Sequence, residues 1–517
     1  MQKNSIFFVA LSATVIFLWY FFLVPQTTQV NQILTQHQVE KSKYPNLMTA
    51  RNDQTQDEIS QFVDEERINI ETKNYKMVLT NKGAAVLSWA VKEKNGKWVD
   101  LVFPGSSPVM ENFSGSVYKV VSKSDNKIVF EYVSRKGWKI TKIYNLSDSY
   151  MHNLNIVIDR NLSVSVPEID IGWGPGLGTD AKEAKENVSL SRALAYTLGG
   201  KLYKLKKFKI DSNLASSYKW MAIDNRYFLA AFIPEKLSDF DKIIPSRLDK
   251  KHPYSVTMTA TVPQNISRKE YSINFYLGPK GYTHLKSYNL GLEKTVDFGI
   301  FGFLGKTAFT VLMFFYKITH NYGWAIIMIT VVIQVLVLPL TLKSLKSATA
   351  MKRIQPLIKD IQAKYKNEPQ RLQAEMLNVY RTKKVNPLGG CLPMLLQLPI
   401  FWAFFTMLRN VYELRNEGWI LWIKDLSTSD QFMHLGDFSI NFLPLLMGVG
   451  MFFQQRMTVV VSDPMQRRMM YLMPIIFTFM FWSFPSGLVI YWIINSIISM
   501  IEQYFIIKED EIKIKHS

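Results

Sequence analysis

The chain has 517 residues, 48% of them hydrophobic and 13% aromatic, and carries a formal charge of +19. It is too long for one domain and too apolar in places for a wholly soluble protein. Its single cysteine, Cys391, excludes an intramolecular disulfide and a zinc site built from cysteine pairs. The surplus of Lys and Arg is unevenly placed between apolar runs, so it reads as membrane topology before nucleic-acid binding.

In chain order, a basic start through Lys3 precedes an apolar run over 6–24 that ends at Pro25. A cleaved signal would carry an apolar region of ~7–15 residues and a small-residue cleavage site. The longer run here favours an uncleaved transmembrane anchor, 1–25, with Lys3 in the cytoplasm and the following chain exported. Residues 26–60, rich in Gln, Asn, Thr and Asp, read as a flexible polar linker. Over 61–293 short runs alternate with period two, at 75–80, 85–91, 127–133, 138–144, 154–158, 254–262 and 271–276. Turn signals such as Asn95-Gly96 and Pro104-Gly105 separate them, which predicts an exported antiparallel β-sandwich. The glycine-rich run 174–178 is followed by no helix with Lys-Ser/Thr and reads as a loop.

Residues 294–320 place Phe309, Leu312, Met313 and Tyr316 at i, i+3, i+4, i+7, with Lys306 and Lys317 interrupting. An interfacial amphipathic helix fits these better than another span. Residues 321–507 then hold five apolar segments, 322–341, 388–408, 440–455, 469–482 and 486–507. With the anchor the expectation is a polytopic α-helical membrane protein of six spans, both termini cytoplasmic. Segment 342–386 carries Lys343, Lys346, Lys352, Arg353, Lys359, Lys364, Lys366, Arg371, Arg381, Lys383 and Lys384 against three carboxylates, which marks it cytoplasmic. Its apolar residues Ile354, Leu357, Ile358, Ile361 and Tyr365, then Leu372, Met376, Val379 and Tyr380, describe a helical hairpin broken at 367–369. The stripe either closes on itself or meets membrane or an apolar client. Residues 508–517 form a short tail of mixed charge.

Catalytic chemistry has no footing in this pattern. The histidines, His37, His152, His252, His284, His320, His434 and His516, are scattered, and there is no His-Glu-x-x-His, nucleophile elbow or intramembrane carboxylate pair. The expectation is no enzyme, no metal and no cofactor. The spans lack Asp, Lys and Arg at mid-depth, and Glu502 falls near a cytoplasmic end, which counts against ion-coupled transport. They offer instead neutral hydrogen-bonding groups: Thr330 and Gln334 four apart, Gln397, and Trp492, Asn495 and Ser499. These make either ordinary interhelical bonds, worth ~0.6–2 kcal/mol each, or the wall of one hydrated groove. A groove would shorten the dry path of a charged segment, which costs ~2.5–3.5 kcal/mol per residue at the bilayer centre. The short segment 469–482 would thin the bilayer locally. A small-solute transporter or channel with the β domain as receptor is the alternative, and a display anchor the third reading.

The runs Asn386-Pro387-Leu388-Gly389-Gly390-Cys391-Leu392-Pro393, Pro339-Leu340-Thr341, Asp463-Pro464-Met465-Gln466 and Phe484-Pro485-Ser486-Gly487-Leu488 resemble the signatures of the YidC membrane-protein insertases. The anchor, exported β domain and five-span core resemble that family's Gram-negative form. The likeness is detailed over 297–507 and architectural before it. It implies an energy-independent insertase and chaperone of the inner membrane of a Gram-negative bacterium, working alone or beside the Sec translocon. A groove open to cytoplasm and lipid would receive the hydrophilic part of a nascent membrane protein. By position its residues are Thr330, Gln334, Gln397, Trp492 and Asn495. The client's apolar segment would leave past Met394, Phe401, Met473 and Phe477, on the third and fifth spans. Lys343, Lys352, Arg353, Lys359, Lys383 and Lys384 would meet the client or, transiently, the ribosome. Membrane lipids are partners and nucleic acid is not a direct one. Family members usually carry arginine at the position of Gln334, so the attraction of an acidic client tail is weakened here.

Overall fold

The computed structural model describes residues 65–515 except 114–115, 181–183, 205–217, 248–251, 384, 386–391, 436–437 and 459–463. The expected anchor and linker lie outside the described residues. The chain forms two compact units that divide between Thr295 and Val296.

The unit before Thr295 is an antiparallel β-sandwich. Its nine-stranded sheet runs Leu202–Lys204, Arg192–Thr197, Tyr218–Asp224, Phe228–Pro234, Arg268–Pro279, Met151–Arg160, Trp138–Asn145, Lys127–Val133, Lys119–Ser124. A four-stranded sheet (Arg67–Glu71, Tyr75–Thr80, Ala85–Lys92, Trp98–Asp100) faces it, and a three-stranded sheet pairs Lys242–Ser246, Ser255–Ala260 and Ile169–Trp173. Two short helices, α1 (Ala184–Leu190) and α2 (Tyr282–Ser287), complete the unit. Tyr75 and Trp89, stacked at 5.1 Å on the smaller sheet, meet His152 and Phe275 of the larger one at 4.9–5.9 Å. Burial pushes the His152 imidazole down to about 3, so it joins this core as a neutral ring.

Each of the seven alternating runs read from the sequence holds a strand, although 254–262 shortens to Ser255–Ala260. The strand Phe228–Pro234 escaped that reading because every residue in it is buried. Neighbours on both sides and cover on both faces remove the alternation that betrays a half-exposed strand. At the sheet's edge, Lys119–Ser124 is exposed almost throughout and carries no apolar signal. Residues 174–178 do form a loop. The N–H groups of Gly176 and Gly178 donate to Tyr254 O (2.6 Å) and Leu101 O (2.9 Å) and so are not free to hold a phosphate.

Lys142 lies in the third strand from one edge of the larger sheet and is fully buried. Its Nζ donates to the carbonyls of Ala84 (2.9 Å) and Met110. Both acceptors are left-handed residues (φ 45° and 57°), so the ammonium ties two turns to the sheet. Desolvation pushes its pKa down to about 7 against the opposing pull of Glu111.

The second unit is helical: α3 (Gly302–Thr319), α4 (Tyr322–Lys364), α5 (Pro369–Thr382), α6 (Leu392–Asn410), α7 (Phe442–Thr458), α8 (Pro464–Met480) and α9 (Ser486–Lys515), with a hairpin of Met433–Leu435 and Phe438–Ile440 before α7. Among the described residues, two helices are long and apolar enough to cross a membrane: α4, and α9 over Ser486–Glu509. The apolar stretch Met470–Ser483 in and after α8 is shorter. In α3, Phe309 and Leu312 are buried, whereas Lys306 and Lys317 are exposed together with the apolar Phe303, Phe314 and Ile318.

The sequence reading ended a span at 341 and began a separate hairpin at 342. Instead α4 is continuous for 43 residues and itself supplies the first hairpin arm, with Pro339 and Pro356 inside it. No glycine or capping residue follows Thr341, and the Leu, Lys, Ala and Met of 342–353 favour helix, so the prolines do not terminate it. Helix α5 folds back after the break at 367–369. Ile354, Ile358 and Val385 are buried with Met351, Met376, Val379 and Tyr380 against them, so that part of the stripe closes on itself. The expected tail 508–517 likewise continues α9 through Lys515.

The Lys142 geometry has a measurable consequence. Because the folded amine titrates near 7 and the unfolded one at its ordinary 10.5, the unfolded chain holds more protons between these values. On this group's account the β domain therefore gains stability as pH rises through that window and loses it as pH falls back towards 7. Lys142→Met is expected to flatten that slope in thermal unfolding of the purified chain; an unchanged slope would refute the assignment.

Candidate functional site

Helices α4, α7 and α9 all begin at the loop spanning 411–441, and that loop supplies what their first turns lack. Asp430 is buried and takes three donors on Oδ2: Phe442 N (2.8 Å), Leu443 N (3.1 Å) and Trp422 Nε1 (3.1 Å). It thereby caps α7 from twelve residues away, where a carboxylate also complements the helix dipole. Ser486 N and Gly487 N, the first amides of α9, donate to Thr428 O (2.7 Å) and Leu426 O (3.0 Å). Ser486 Oγ reaches Asp425 O at 2.8 Å. Asn321 caps α4, and the Trp419 ring lies so close over Gly323 that an added Cβ would stand 2.1 Å from it.

Below this loop a seam of neutral polar groups joins the helices. Gln334 Nε2 of α4 donates to Asn495 Oδ1 of α9, and Gln397 Nε2 of α6 donates to the Tyr491 hydroxyl, also of α9. Tyr491 and Asn495 are four apart, so glutamines from two different helices meet one face of α9 on successive turns. Thr330, fully buried, turns its hydroxyl to Ile326 O at 2.6 Å inside its own helix. Of the side chains expected to wall an open recess, Gln334 and Asn495 are thus paired with each other, Gln397 with Tyr491, and Thr330 with its own helix. A cavity of about 20 Å³, room for one water, lies further along, between Leu345, Thr349, Lys352, Met457 and Gln503.

Trp492 faces another way, into an aromatic cluster. Phe401 of α6 meets it at 5.4 Å, Phe477 of α8 at 6.0 Å and Phe481 at 5.3 Å. The structure therefore brings Phe401 and Phe477, read as client-exit residues, onto Trp492, read as a groove residue. Met473 is half-buried one turn from Phe477. The Met394 side chain and Lys384 lie outside what is described. Helices α7 and α8 approach where Gly448 meets Thr478, whose Oγ1 would stand 2.1 Å from an added Cβ. An exposed stripe, Phe442, Leu445, Leu446, Val449, Phe452 and Phe453, runs down α7.

Of the basic hairpin residues, Lys343, Arg353, Lys359 and Lys383 are exposed. Lys352 is also exposed but donates to Met457 O (3.0 Å) in the last turn of α7, where a cation suits the helix dipole. Tyr491 and Asp430 were missed from sequence. A tyrosine in an apolar run gives a weak signal, and a cap supplied from twelve residues upstream gives none.

Two family models cover most of the chain: the YidC periplasmic domain matches residues 98–311, and the 60Kd inner membrane protein matches residues 314–513. The membrane protein insertase YidC of Endomicrobium trichonymphae is 67% identical over 521 residues, covering 100% of both chains. The chain belongs to the YidC membrane protein insertase family. The YidC insertase of Syntrophus aciditrophicus is 35% identical over 481 residues, covering 86% of this chain and 85% of its own. Among solved structures, YidC from Thermotoga maritima is 16% identical with a TM-score of 0.29, covering 84% of this chain and 96% of its own. The YidC resemblance read from the motifs is therefore the chain's family, and the small-solute transporter finds no support among these relatives. As in its YidC homologues, the β-sandwich is the periplasmic domain of an inner-membrane protein.

Three substitutions test this geometry. Asp430→Ala should cost about 0.5–2 kcal/mol and speed hydrogen exchange at the Phe442 and Leu443 amides; unchanged exchange there would remove the cap. Gly448→Val should destabilise the detergent-solubilised protein by about 1–3 kcal/mol. Gly450→Ala, with open space around it, should not lower the melting temperature and should raise it slightly, because alanine is the better helix former.

Proposed function

We propose that this insertase receives the hydrophilic part of a nascent membrane protein by opening the seam between α4, α6 and α9, while the client's apolar segment leaves along α6 and α8. The observation that carries this reading is that Gln334 and Gln397 both pair with α9, at Asn495 and Tyr491. Interhelical hydrogen bonds in membranes average ~0.6 kcal/mol, so parting two of them costs about as much as one ordinary contact. A single charged residue at the bilayer centre costs ~2.5–3.5 kcal/mol. Exchanging the seam's internal bonds for bonds to a client tail and its water is therefore favourable. The cluster of Trp492, Phe401 and Phe477 offers the apolar part a neighbouring surface.

In this reading the protein is energy-independent and performs no catalysis. Six spans place both termini in the cytoplasm. The exposed cations Lys343, Lys359 and Lys383 meet clients or, transiently, the ribosome, whereas Lys352 braces α4 against α7. The Sec translocon and membrane lipids are partners, and nucleic acid is not. Gln334, where arginine is usual, makes the seam indifferent to client charge.

Photocrosslinkers at Phe401 and Phe477 should capture a translating client in reconstituted vesicles, and one at Val335 on the exposed side of α4 should not. Equal capture at all three would sink the route. Gln334→Leu should slow insertion of tails bearing charges by roughly threefold, the equivalent of ~0.6 kcal/mol. Gln334→Arg should speed insertion of acidic tails over neutral ones; equal rates would exclude a role for charge at this position.

A further inference from the structure

The loop at the start of α4, α7 and α9 holds an apolar tip that its capping role does not use. Trp419, Ile420, Leu421 and Trp422 are four successive uncharged residues. The turn is closed by Trp419 N to Ile423 O (2.9 Å) and Ile423 N to Ile420 O (3.2 Å). Leu421 is left-handed (φ 56°), an uncommon conformation for a bulky side chain, and 82% exposed; Ile420 is 39% exposed. An aliphatic pair held outward on a tight turn is costly in water.

What covers it follows from its neighbours. Trp422 packs edge-on against Phe432 (4.9 Å) and Phe442 (5.4 Å), and Phe432 meets Phe442 at 5.5 Å. Phe442 is the first residue of α7's exposed apolar stripe, which faces lipid in a membrane insertase. The indole N–H of Trp422 is already committed to Asp430, so the ring completes an apolar path from the stripe to the loop. Trp419, on the other side of the tip, is seated on Gly323 at the start of α4. The tip is thus joined on both flanks to helix ends that lie at one bilayer surface.

We infer that Ile420 and Leu421 are inserted into the lipid leaflet at this end of the helices, with Trp419 and Trp422 at headgroup level. The loop is then an interfacial anchor as well as a cap. Its occupant is the acyl region of the surrounding leaflet, reached at a depth of ~5–10 Å below the headgroup boundary. This rests on α4 crossing the bilayer as the proposed function requires.

The full-length protein, with Cys391→Ser, carries a single environment-sensitive fluorophore at Leu421→Cys, Ile420→Cys, Lys424→Cys or Leu336→Cys, in vesicles of phosphatidylethanolamine and phosphatidylglycerol. Lipids brominated near the headgroup should quench the label at 421 and at 420, with blue-shifted emission. They should quench far less at Lys424, whose label stays accessible to aqueous iodide. The Leu336 label, on the exposed side of α4, should be quenched best by lipids brominated deep in the chain. Iodide-accessible, unshifted labels at both 420 and 421, with Leu336 still quenched at depth, would overturn the anchor while leaving the span intact. Loss of deep quenching at Leu336 would instead overturn the spanning reading, and the anchor with it. Quenching at 421 that appears only when a partner membrane protein is added would assign the tip to that protein and also overturn the proposal.

Discussion

A helix that begins inside or beside hydrocarbon brings with it N–H groups that no preceding turn can satisfy, and the cost of leaving them unmet is several kcal/mol each. Three helices of this insertase face that constraint at the same end, and one loop answers it. Asp430 reaches α7, the carbonyls of Leu426 and Thr428 reach α9, and Trp419 lies on α4 beside its own Asn321 cap. Because the three starts are fastened to one element, the helices cannot part at that end without breaking several of these contacts together. At the opposite end α4 runs on into the hairpin, with Lys352 braced against the last turn of α7.

Buried amides and hydroxyls in a membrane are tolerable only when paired, yet pairs of neutral groups are weak there because other partners compensate. Gln334 with Asn495 and Gln397 with Tyr491 meet both conditions. They are satisfied at rest and cheap to exchange. An ion pair at the same depth would be harder to part, since each freed charge would need a replacement partner. Neutrality at 334 spares the seam a buried charge that would need a partner of its own.

How much of this could be read from the residues alone varies with the physics involved. Half-exposed strands and amphipathic helices announce themselves because one face meets water. The alternation of 138–144 and the spacing of Phe309 and Leu312 were enough to place them. Phe228–Pro234, buried on both faces, carries no such contrast. The glutamines were legible as polar groups out of place in apolar spans. Their partners were not, since pairing depends on which helix faces which, and the result is a closed contact where a recess was expected. Asp430 was the least legible of all, a charged loop residue whose role exists only once twelve residues have folded back onto it. The continuity of α4 past Thr341 was misread for a local reason: the apolar run ends where the lysines begin, but the residues there continue the helix regardless.

That continuity makes α4 a mechanical element. At 1.5 Å per residue a helix of 43 residues is about 65 Å long, and it is held by the loop at one end and by Lys352 against Met457 further along. The bond from Lys352 is a second fastening. Gln334 stands on the loop side of it, about 27 Å away along the axis, and the hairpin tip stands on the other. Between the loop and Lys352 the rod is fastened at both ends, so Gln334 sits on its braced part, and the hairpin arm is the part that reaches past those contacts.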